Sequence, residues 1–226
     1  MDSTENWNSL FLHSSFFCLK KAEELSDSQK HLSSRLEYKN IDNFHPNRKN
    51  EFLLGRICAS KAHEIQFGSE LLSLPIGLSR SPAWPLEVIG SISHNQYLVG
   101  AAVSKNTSLL GIGIDFEVIG RAKLELARYI RSAEDLKTHK TLNDNDLLTL
   151  IFSAKESLYK ALYPSAKRFF GFEAAALREI DTSTGAFKID LISQITSSLG
   201  PSGRFQFEGR FKIIGNNCLT VLEIPN

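Results

Sequence analysis

Residues 111–117, with the sequence GIGIDFE, constrain the fold and the chemistry of this chain more than any other stretch. Apolar side chains at every second position predict a β-strand with one apolar face. Asp115 and Glu117 share the opposite face, because side chains two residues apart in a strand point the same way. Two neighbouring carboxylates repel each other unless a cation or a proton joins them. The pattern therefore indicates a divalent metal site, and a strand with a solvated acidic face is the alternative.

The two glycines of this stretch, Gly111 and Gly113, lack side chains on the face that carries Asp115. They leave room for another group to approach the backbone closely. A metal ion that carries phosphate groups would use both the space and the carboxylates.

Composition limits the class of protein. The chain has 226 residues, of which 42% are hydrophobic and 23% charged, so we expect a packed core in one larger or two small domains. The net charge of +1 gives no overall field that would favour nucleic acid. The three cysteines have neither metal-ligand spacing nor a disulfide framework, which favours a cytoplasmic location. No apolar run is long enough for a membrane span.

Two long helices are predicted, and each carries charged residues at helical spacing. Residues 48–67 form the first, which ends at Gly68, and its Arg48 and Arg56 lie two turns apart on one face. A solvated helix face is the alternative interpretation of these cations. Residues 147–163 form the second helix, which Pro164 is expected to end.

The second helix carries Glu156 and Lys160, which are four residues apart and can face one cleft together. An ordinary surface ion pair, which contributes little to stability, is the alternative.

The remaining segments predict an α+β protein. We expect strands over residues 11–18, 88–92, 98–104 and 109–118, a short helix over 26–36, a polar helical region over 121–140, and a β-rich tail over 169–180, 186–192, 205–214 and 218–224. Ser93, His94 and Asn95 are placed in the turn between two of these strands, where a serine hydroxyl and a histidine can bind a phosphate. The predicted division is a subdomain over residues 1–107 and a second over 108–226.

Together these features indicate metal-assisted phosphoryl chemistry. Hard oxygen ligands hold Mg²⁺, which takes further ligands from substrate phosphates. Cations neutralise the charge on the leaving group, and a base prepares the nucleophile. The sequence has no Walker-type phosphate loop, no kinase loop signature, no histidine pair with zinc spacing and no hydrolase elbow serine.

Four blocks resemble the 4′-phosphopantetheinyl transferases, in particular the larger monomeric group of surfactin-type and enterobactin-type enzymes. The first two blocks are more similar to the enterobactin-type branch, and the last two together are highly specific. The first 45 residues and the tail carry little of the resemblance. The blocks are residues 48–62 (RKNEFLLGRICASKA), 80–94 (RSPAWPLEVIGSISH), 111–117 (GIGIDFE) and 152–161 (FSAKESLYKA).

The resemblance implies the fold, the reaction and the partners. The fold would be two similar α+β subdomains related by pseudo-twofold symmetry, with the active site in the cleft between them. The enzyme, a holo-[acyl-carrier-protein] synthase, would transfer the phosphopantetheine arm of coenzyme A to a serine of an apo acyl, peptidyl or aryl carrier protein and release 3′,5′-ADP. We expect Mg²⁺ dependence, with Mn²⁺ as a substitute, and a monomer. The chain could serve fatty acid, polyketide, peptide or siderophore assembly.

The resemblance also assigns roles to individual residues. Asp115, Glu117 and Glu156 would be the metal ligands, and Glu156 would also be the base for the carrier serine. Lys160 would be catalytic and would contact the phosphates. The coenzyme A contacts would be Arg48, Arg56, Arg80, Ser93, His94 and Lys160.

Two other functions remain open at this point. A different Mg²⁺-dependent enzyme that cleaves nucleotide pyrophosphates would need no carrier protein. A non-catalytic carrier-binding module would need no metal. For the carrier we expect a local basic and apolar surface, because the family's carriers are acidic helical bundles. The candidates for it are Arg121, Lys123, Arg128 and Arg131, and a solvated helix face is the alternative.

Overall fold

The computed structural model describes residues 7–21, 25–35, 44–77, 81–167, 169–191 and 206–226. Helices and strands are both well represented among them, which confirms the predicted α+β class. The chain divides into two compact units, Met1–Leu110 with Asn226, and Gly111–Pro225. The division into domains at residues 107 and 108 stays a prediction. No helix within the described residues combines the length and the apolar character needed to cross a lipid bilayer.

The first unit consists of a three-stranded sheet and a long helix packed on it. The strands are β1 (Ser15–Lys20), β2 (Val88–His94) and β3 (Leu98–Lys105), and the sheet order is β1-β3-β2 with antiparallel pairs. Helix α1 is Asp27–Arg35, and helix α2 is Pro46–Phe67. The core forms where apolar residues of α2 meet the central strand β3, which is buried along nearly its whole length. The sheet thus holds one face of α2 in place.

Most predicted elements of this unit are confirmed, with shifts at their ends. Helix α2 begins with Pro46 in its first turn and ends at Gly68, whose φ of 78° is the left-handed conformation that glycine adopts easily. The prediction that Ser93 and His94 lie in a turn is wrong, because both belong to the paired end of β2. The first strand lies later than predicted, at Ser15–Lys20, and residue 36 of the predicted short helix lies outside the described residues.

The second unit consists of a five-stranded sheet and the helix α4 (Asp144–Ala166). The strands are β4 (Leu109–Val118), β5 (Ala175–Asp181), β6 (Ala186–Leu191), β7 (Gln206–Ile214) and β8 (Asn217–Pro225). The sheet order is β4-β8-β7-β6-β5. Apolar side chains of α4 and of the sheet form one continuous core.

Helix α4 spans Asp144–Ala166 and is longer than predicted. The side chain of Asn143 caps its first turn by accepting a hydrogen bond from the backbone N–H of Asp146 at 3.0 Å. The prediction that Pro164 ends the helix is wrong: Pro164 lies inside its last turn, and the N–H of Lys167 donates to the carbonyl of Tyr163. A proline removes only its own N–H, and later residues can still donate, so Ser165 and Ala166 extend the helix beyond Pro164.

The predicted helical region over residues 121–140 is mostly irregular. It contains a 3₁₀ turn at Leu124–Leu126 and the short helix α3 at Ala127–Ile130. The polar residues after Ile130 instead form turns that hold Asp135, whose carboxylate accepts hydrogen bonds from the N–H groups of Ser132 and Leu177. These local contacts satisfy the backbone in place of helical hydrogen bonds.

Gly111 and Gly113 allow helix α4 to lie directly against strand β4. A Cβ atom on Gly113 would overlap the carbonyl oxygen of Ser157, and one on Gly111 would overlap that of Ala161. The group that approaches the backbone here is therefore a helix. Because the two backbones are in contact, side chains on the adjacent turns of α4 lie beside the carboxylate end of β4.

We expect Gly113→Ala to destabilise the protein, because the new methyl group meets the backbone of α4, which cannot shift without moving the whole helix. Overpacking of this kind costs about 1–3 kcal/mol or more, measured as the loss of unfolding free energy in urea. The matched control is Gly55→Ala, whose Cβ would meet side-chain methyl groups and no backbone atom: that of Ile92 at 3.0 Å and that of Val99 at 3.9 Å. Equal losses in the two variants would contradict the packing proposed for Gly113.

Candidate active site

Asp115 and Lys160, which lie in different sequence blocks, form a direct ion pair. The Nζ atom of Lys160 donates to Oδ1 of Asp115 at 2.7 Å and to the backbone carbonyl of Ile114 at 3.0 Å. The Asp115 side chain is 8% exposed and that of Lys160 is 26% exposed. The alternative of a solvated acidic strand face is therefore wrong at Asp115, which is buried against α4.

Glu117 and Glu156 share the electrostatic environment of Asp115. Burial raises the pKa of Glu117 to about 7, and the charge of Asp115 adds to this rise while Arg121, 3.7 Å away, opposes it. Burial also raises the pKa of Glu156. The charge of Lys160 opposes this rise, and the charge of Asp115 adds to it. Both glutamates are therefore held where ionisation is unfavourable unless a positive charge is added.

Buried hydroxyl groups fix the position of α4 relative to its sheet. The hydroxyl groups of Ser153 and Ser157 lie 2.8 Å and 2.6 Å from that of Thr220 in β8. The Ser153 hydroxyl also donates to the backbone carbonyl of Asp115 at 3.3 Å. These contacts connect α4, β8 and β4 at the level of Glu156, so the helix face that carries Glu156 has a defined position.

Lys155, directly before Glu156, has a structural role that sequence reasoning did not identify. Its Nζ atom donates to Asp135 at 2.6 Å and to the carbonyl groups of Ile130 and Phe172, both at 2.9 Å. Burial lowers the pKa of Lys155, although Asp135 opposes this shift. An ion pair buried this completely tolerates loss of either partner poorly. The sequence feature that could have indicated this role is Asp135, an acidic residue within a stretch that was interpreted as a polar helix.

The side chains present suit a hard divalent cation in their chemistry. Asp115, Glu117 and Glu156 supply only carboxylate oxygens, the ligands that Mg²⁺ prefers. Among the described residues, however, no three acidic, histidine or cysteine side chains are arranged to hold a metal ion. Mutual repulsion separates carboxylates that no cation joins, and the ammonium group of Lys160 lies beside Asp115. Metal binding by the three residues therefore requires side-chain rearrangement.

The predicted coenzyme A contacts other than Lys160 belong to the first unit. Arg48 is exposed in the first turns of α2, Ser93 is buried, and His94 is partly exposed with Nδ1 3.6 Å from Oε1 of Glu51. The charges of Arg48 and His94 both lower the pKa of Glu51, so these two side chains lie in the same charged region of the first unit. Arg80 lies outside the described residues.

Arg56 is buried while Arg48 is exposed, so the alternative of a solvated helix face is wrong at Arg56. It is 7% exposed, its guanidinium lies 3.8 Å from the ring centre of Phe52, and its Nε donates to the carbonyl of Leu74 at 3.3 Å. The long helix lies against the sheet with this side inward, which buries Arg56 while Arg48 remains at the surface. An Arg56 substitution therefore affects packing as well as charge.

The chain matches two models of one family. Residues 36–104 match the 4′-phosphopantetheinyl transferase N-terminal domain, and residues 111–208 match the 4′-phosphopantetheinyl transferase superfamily. The chain belongs to the 4′-phosphopantetheinyl transferase superfamily, as predicted. The prediction that it is an enzyme of this class is also confirmed.

Named relatives agree with this assignment. The 4′-phosphopantetheinyl transferase Npt of Nocardia iowensis is 29% identical over 77% of this chain and 82% of its own length. The 4′-phosphopantetheinyl transferase PptT of Mycobacterium tuberculosis is 32% identical over 61% of each chain. Enterobactin synthase component D of Shigella flexneri is 41% identical over 50% of this chain and 54% of its own length. The chain thus spans less than two thirds of the last two relatives.

We expect Glu117→Gln to stabilise the metal-free protein at about pH 8 and much less at about pH 5. The pKa of Glu117 is about 7 in the folded protein against an ordinary 4.5, so its ionisation reduces stability as the pH rises through this window. Thermal unfolding with a chelator measures the effect, expected to be at least about 2 °C at the higher pH.

Addition of Mg²⁺ should raise the melting temperature of the wild type more than that of the Glu117→Gln variant, since only the wild type has the third carboxylate. Equal melting temperatures of the two proteins at the higher pH, or an equal response to Mg²⁺, would contradict the placement of Glu117.

Proposed function

We propose that this chain transfers the 4′-phosphopantetheine arm of coenzyme A to a serine of an apo carrier protein and releases 3′,5′-ADP. The observation that carries the proposal is the 2.7 Å contact between Lys160 and Asp115, since it joins the two sequence blocks most specific to the family. Coenzyme A as co-substrate and a carrier protein as partner follow from the family.

Asp115, Glu117 and Glu156 are the proposed ligands of Mg²⁺, for which Mn²⁺ can substitute. The bound ion would supply positive charge to the pyrophosphate of coenzyme A, which makes its bridging oxygen a better leaving group. The raised pKa values of Glu117 and Glu156 support this assignment, because a cation would relieve the cost of ionising both.

Glu156 is the proposed general base. It accepts the proton of the carrier serine, directly or through a water molecule, while the serine oxygen attacks the β-phosphorus of coenzyme A. The bond from that phosphorus to the bridging oxygen breaks, and 3′,5′-ADP leaves with the oxygen and the electron pair. A pKa raised by burial brings Glu156 nearer to the working pH, where a carboxylate is a stronger base.

Lys160 stabilises the charge that develops on the leaving phosphate. Its ammonium group is held by Asp115 and by the carbonyl of Ile114, which fixes the direction of the side chain. Asp115 would be one of the residues that hold the cation, and the ammonium group of Lys160 would then be available to a phosphate oxygen. A positioned cation of this kind acts where negative charge increases in the transition state.

The coenzyme A contacts in the first unit are proposed at Arg48, Arg80, Ser93 and His94. The proposal includes Arg56 as well, although its burial and its bond to the carbonyl of Leu74 favour a supporting role. The pseudo-twofold relation of the two units, an active site in a cleft between them, the monomeric state and the cytoplasmic location stay predictions. The buried, free thiols of all three cysteines are consistent with a reducing compartment.

The carrier-binding surface is proposed around the short helix α3. Arg121, Lys123 and Arg128 are exposed there, and so are the apolar side chains of Leu124, Leu126 and Tyr129. Exposed cations beside apolar groups suit an acidic helical partner. Arg131 fits less well, because it is half-buried and donates to the carbonyl of Leu136 at 2.8 Å. Transfer that slows steeply with added salt would support an electrostatic contact of this kind.

Mass spectrometry of a panel of apo carriers incubated with coenzyme A, Mg²⁺ and the protein tests the function. We expect the wild type to add the phosphopantetheine mass to at least one carrier. Asp115→Asn and Glu156→Gln should slow the transfer by at least about 100-fold, because they remove a metal ligand and the base. The control is Glu208→Gln, an exposed glutamate in β7, which should transfer at the wild-type rate.

Two outcomes would favour the other functions. Release of 3′,5′-ADP without any carrier would indicate a pyrophosphate-cleaving enzyme. Binding of an apo carrier that is never modified, with affinity unchanged by a chelator or by Glu156→Gln, would indicate a non-catalytic binding module.

A further inference from the structure

Three elements of the first unit bring charged side chains to one end of its sheet. Lys21 follows directly after β1, His94 is the last residue of β2, and Glu51 lies in the second turn of α2. The backbone N–H of Lys21 donates to the carbonyl of Tyr97 at 2.7 Å, in the turn that connects β2 to β3. The backbone of Lys21 is therefore fixed next to the end of β2, where His94 lies.

Lys21 and His94 both approach the same oxygen of Glu51. The Nζ atom of Lys21 donates to Oε1 at 2.6 Å, and Nδ1 of His94 lies 3.6 Å from it. The side chain of Lys21 is 16% exposed, that of His94 33% and that of Glu51 26%, so all three are partly buried. With Nδ1 directed at Glu51, the other ring nitrogen of His94, Nε2, faces away from the carboxylate.

Positive charge exceeds negative charge in this cluster. Burial raises the pKa of Glu51, but the hydrogen bond from Lys21 and the charges of His94, Lys21 and Arg48 outweigh it, so that the net shift is downward. The carboxylate of Glu51 thus lies among several cationic side chains, two of which are assigned to coenzyme A by the resemblance. An isolated surface ion pair would contribute little and would need no such convergence.

We propose that Glu51 is a positioning residue that gathers Lys21 and His94 into one phosphate-binding set, and that Lys21 is a further residue that binds a phosphate of coenzyme A. The inference rests on the proposed function. It extends the site to a residue before position 36, where the match to the family model begins. Lys21 comes from the first 45 residues, in which the resemblance assigned no role.

Calorimetric titration with coenzyme A tests this proposal in five proteins. They are the wild type, Lys21→Ala, Glu51→Ala, Glu51→Gln and the double variant Lys21→Ala/Glu51→Ala. The matched control is Lys20→Ala, which removes the neighbouring exposed lysine at the end of β1. Thermal unfolding of each variant shows whether the fold is retained.

We expect Lys21→Ala and Glu51→Ala each to weaken coenzyme A binding roughly tenfold, the effect of one charge-assisted hydrogen bond. The double variant should lose less binding free energy than the sum of the two single losses, because Glu51 acts in part through Lys21. Glu51→Gln should retain more affinity than Glu51→Ala, since its amide oxygen still accepts a hydrogen bond from Lys21. Lys20→Ala should bind as the wild type does. Transfer at saturating coenzyme A should change less than about twofold in all of them, because the lost contacts are ground-state contacts.

Three results would overturn the proposal. One is a melting temperature that falls in the Lys21 and Glu51 variants while coenzyme A affinity stays at the wild-type value, which is the behaviour of a structural ion pair. Another is tighter binding by Glu51→Ala, which would show that the carboxylate only repels the phosphates. The third is strictly additive losses in the double variant. Failure of the wild type to bind coenzyme A would instead refute the proposed function itself.

Discussion

The direct contact between helix α4 and strand β4 determines the structure of the second unit's site. Gly111 and Gly113 have no side chains where the backbone of α4 passes, so helix and strand approach more closely than two ordinary elements can. This closeness allows the ammonium group of Lys160 to reach both the carboxylate of Asp115 and the carbonyl group of the preceding residue. Larger residues at either glycine position would push the helix away and separate the two charged groups.

Buried polar contacts give α4 its orientation as well as its distance from the sheet. Two serine hydroxyls on one side of the helix meet Thr220 of β8, and Lys155 on another side is enclosed by Asp135 and two carbonyl groups. Both contacts flank Glu156. Buried polar groups are costly unless they are satisfied, so these partners specify one rotation of the helix. Glu117 and Glu156 can then be held in surroundings that make their ionisation unfavourable, which a bound cation can exploit.

Much of this organisation could be predicted from the sequence, and the failures have physical causes. Strand β4 and both long helices follow from their periodicity, because burial of one face imposes a repeat that can be read in the letters. The burial of Arg56 could not be predicted, since cations spaced two helical turns apart look alike whether they meet water or an aromatic ring such as Phe52. The role of Lys155 could not be predicted either, because its partner Asp135 lies in a turn distant in sequence, within a stretch that was predicted to be helical.

The glycines show how a correct pattern can have a different cause from the one first inferred. Close approach to the backbone was expected at Gly113, and it occurs, but the approaching group is the carbonyl of Ser157. A sequence reveals that space is needed without showing what fills it. The same holds for the acidic residues, whose pattern indicates a cation, while the structure places the ammonium group of Lys160 beside Asp115.

The most direct test of the central claim is a crystal structure of the protein with coenzyme A and Mn²⁺, with anomalous diffraction to locate the metal. We expect one Mn²⁺ bound by oxygens of Asp115, Glu117 and Glu156 and by the pyrophosphate, with Lys160 turned from Asp115 to a phosphate oxygen. A metal peak away from these carboxylates, or coenzyme A bound while Lys160 remains paired with Asp115 and the three acids stay apart, would contradict it.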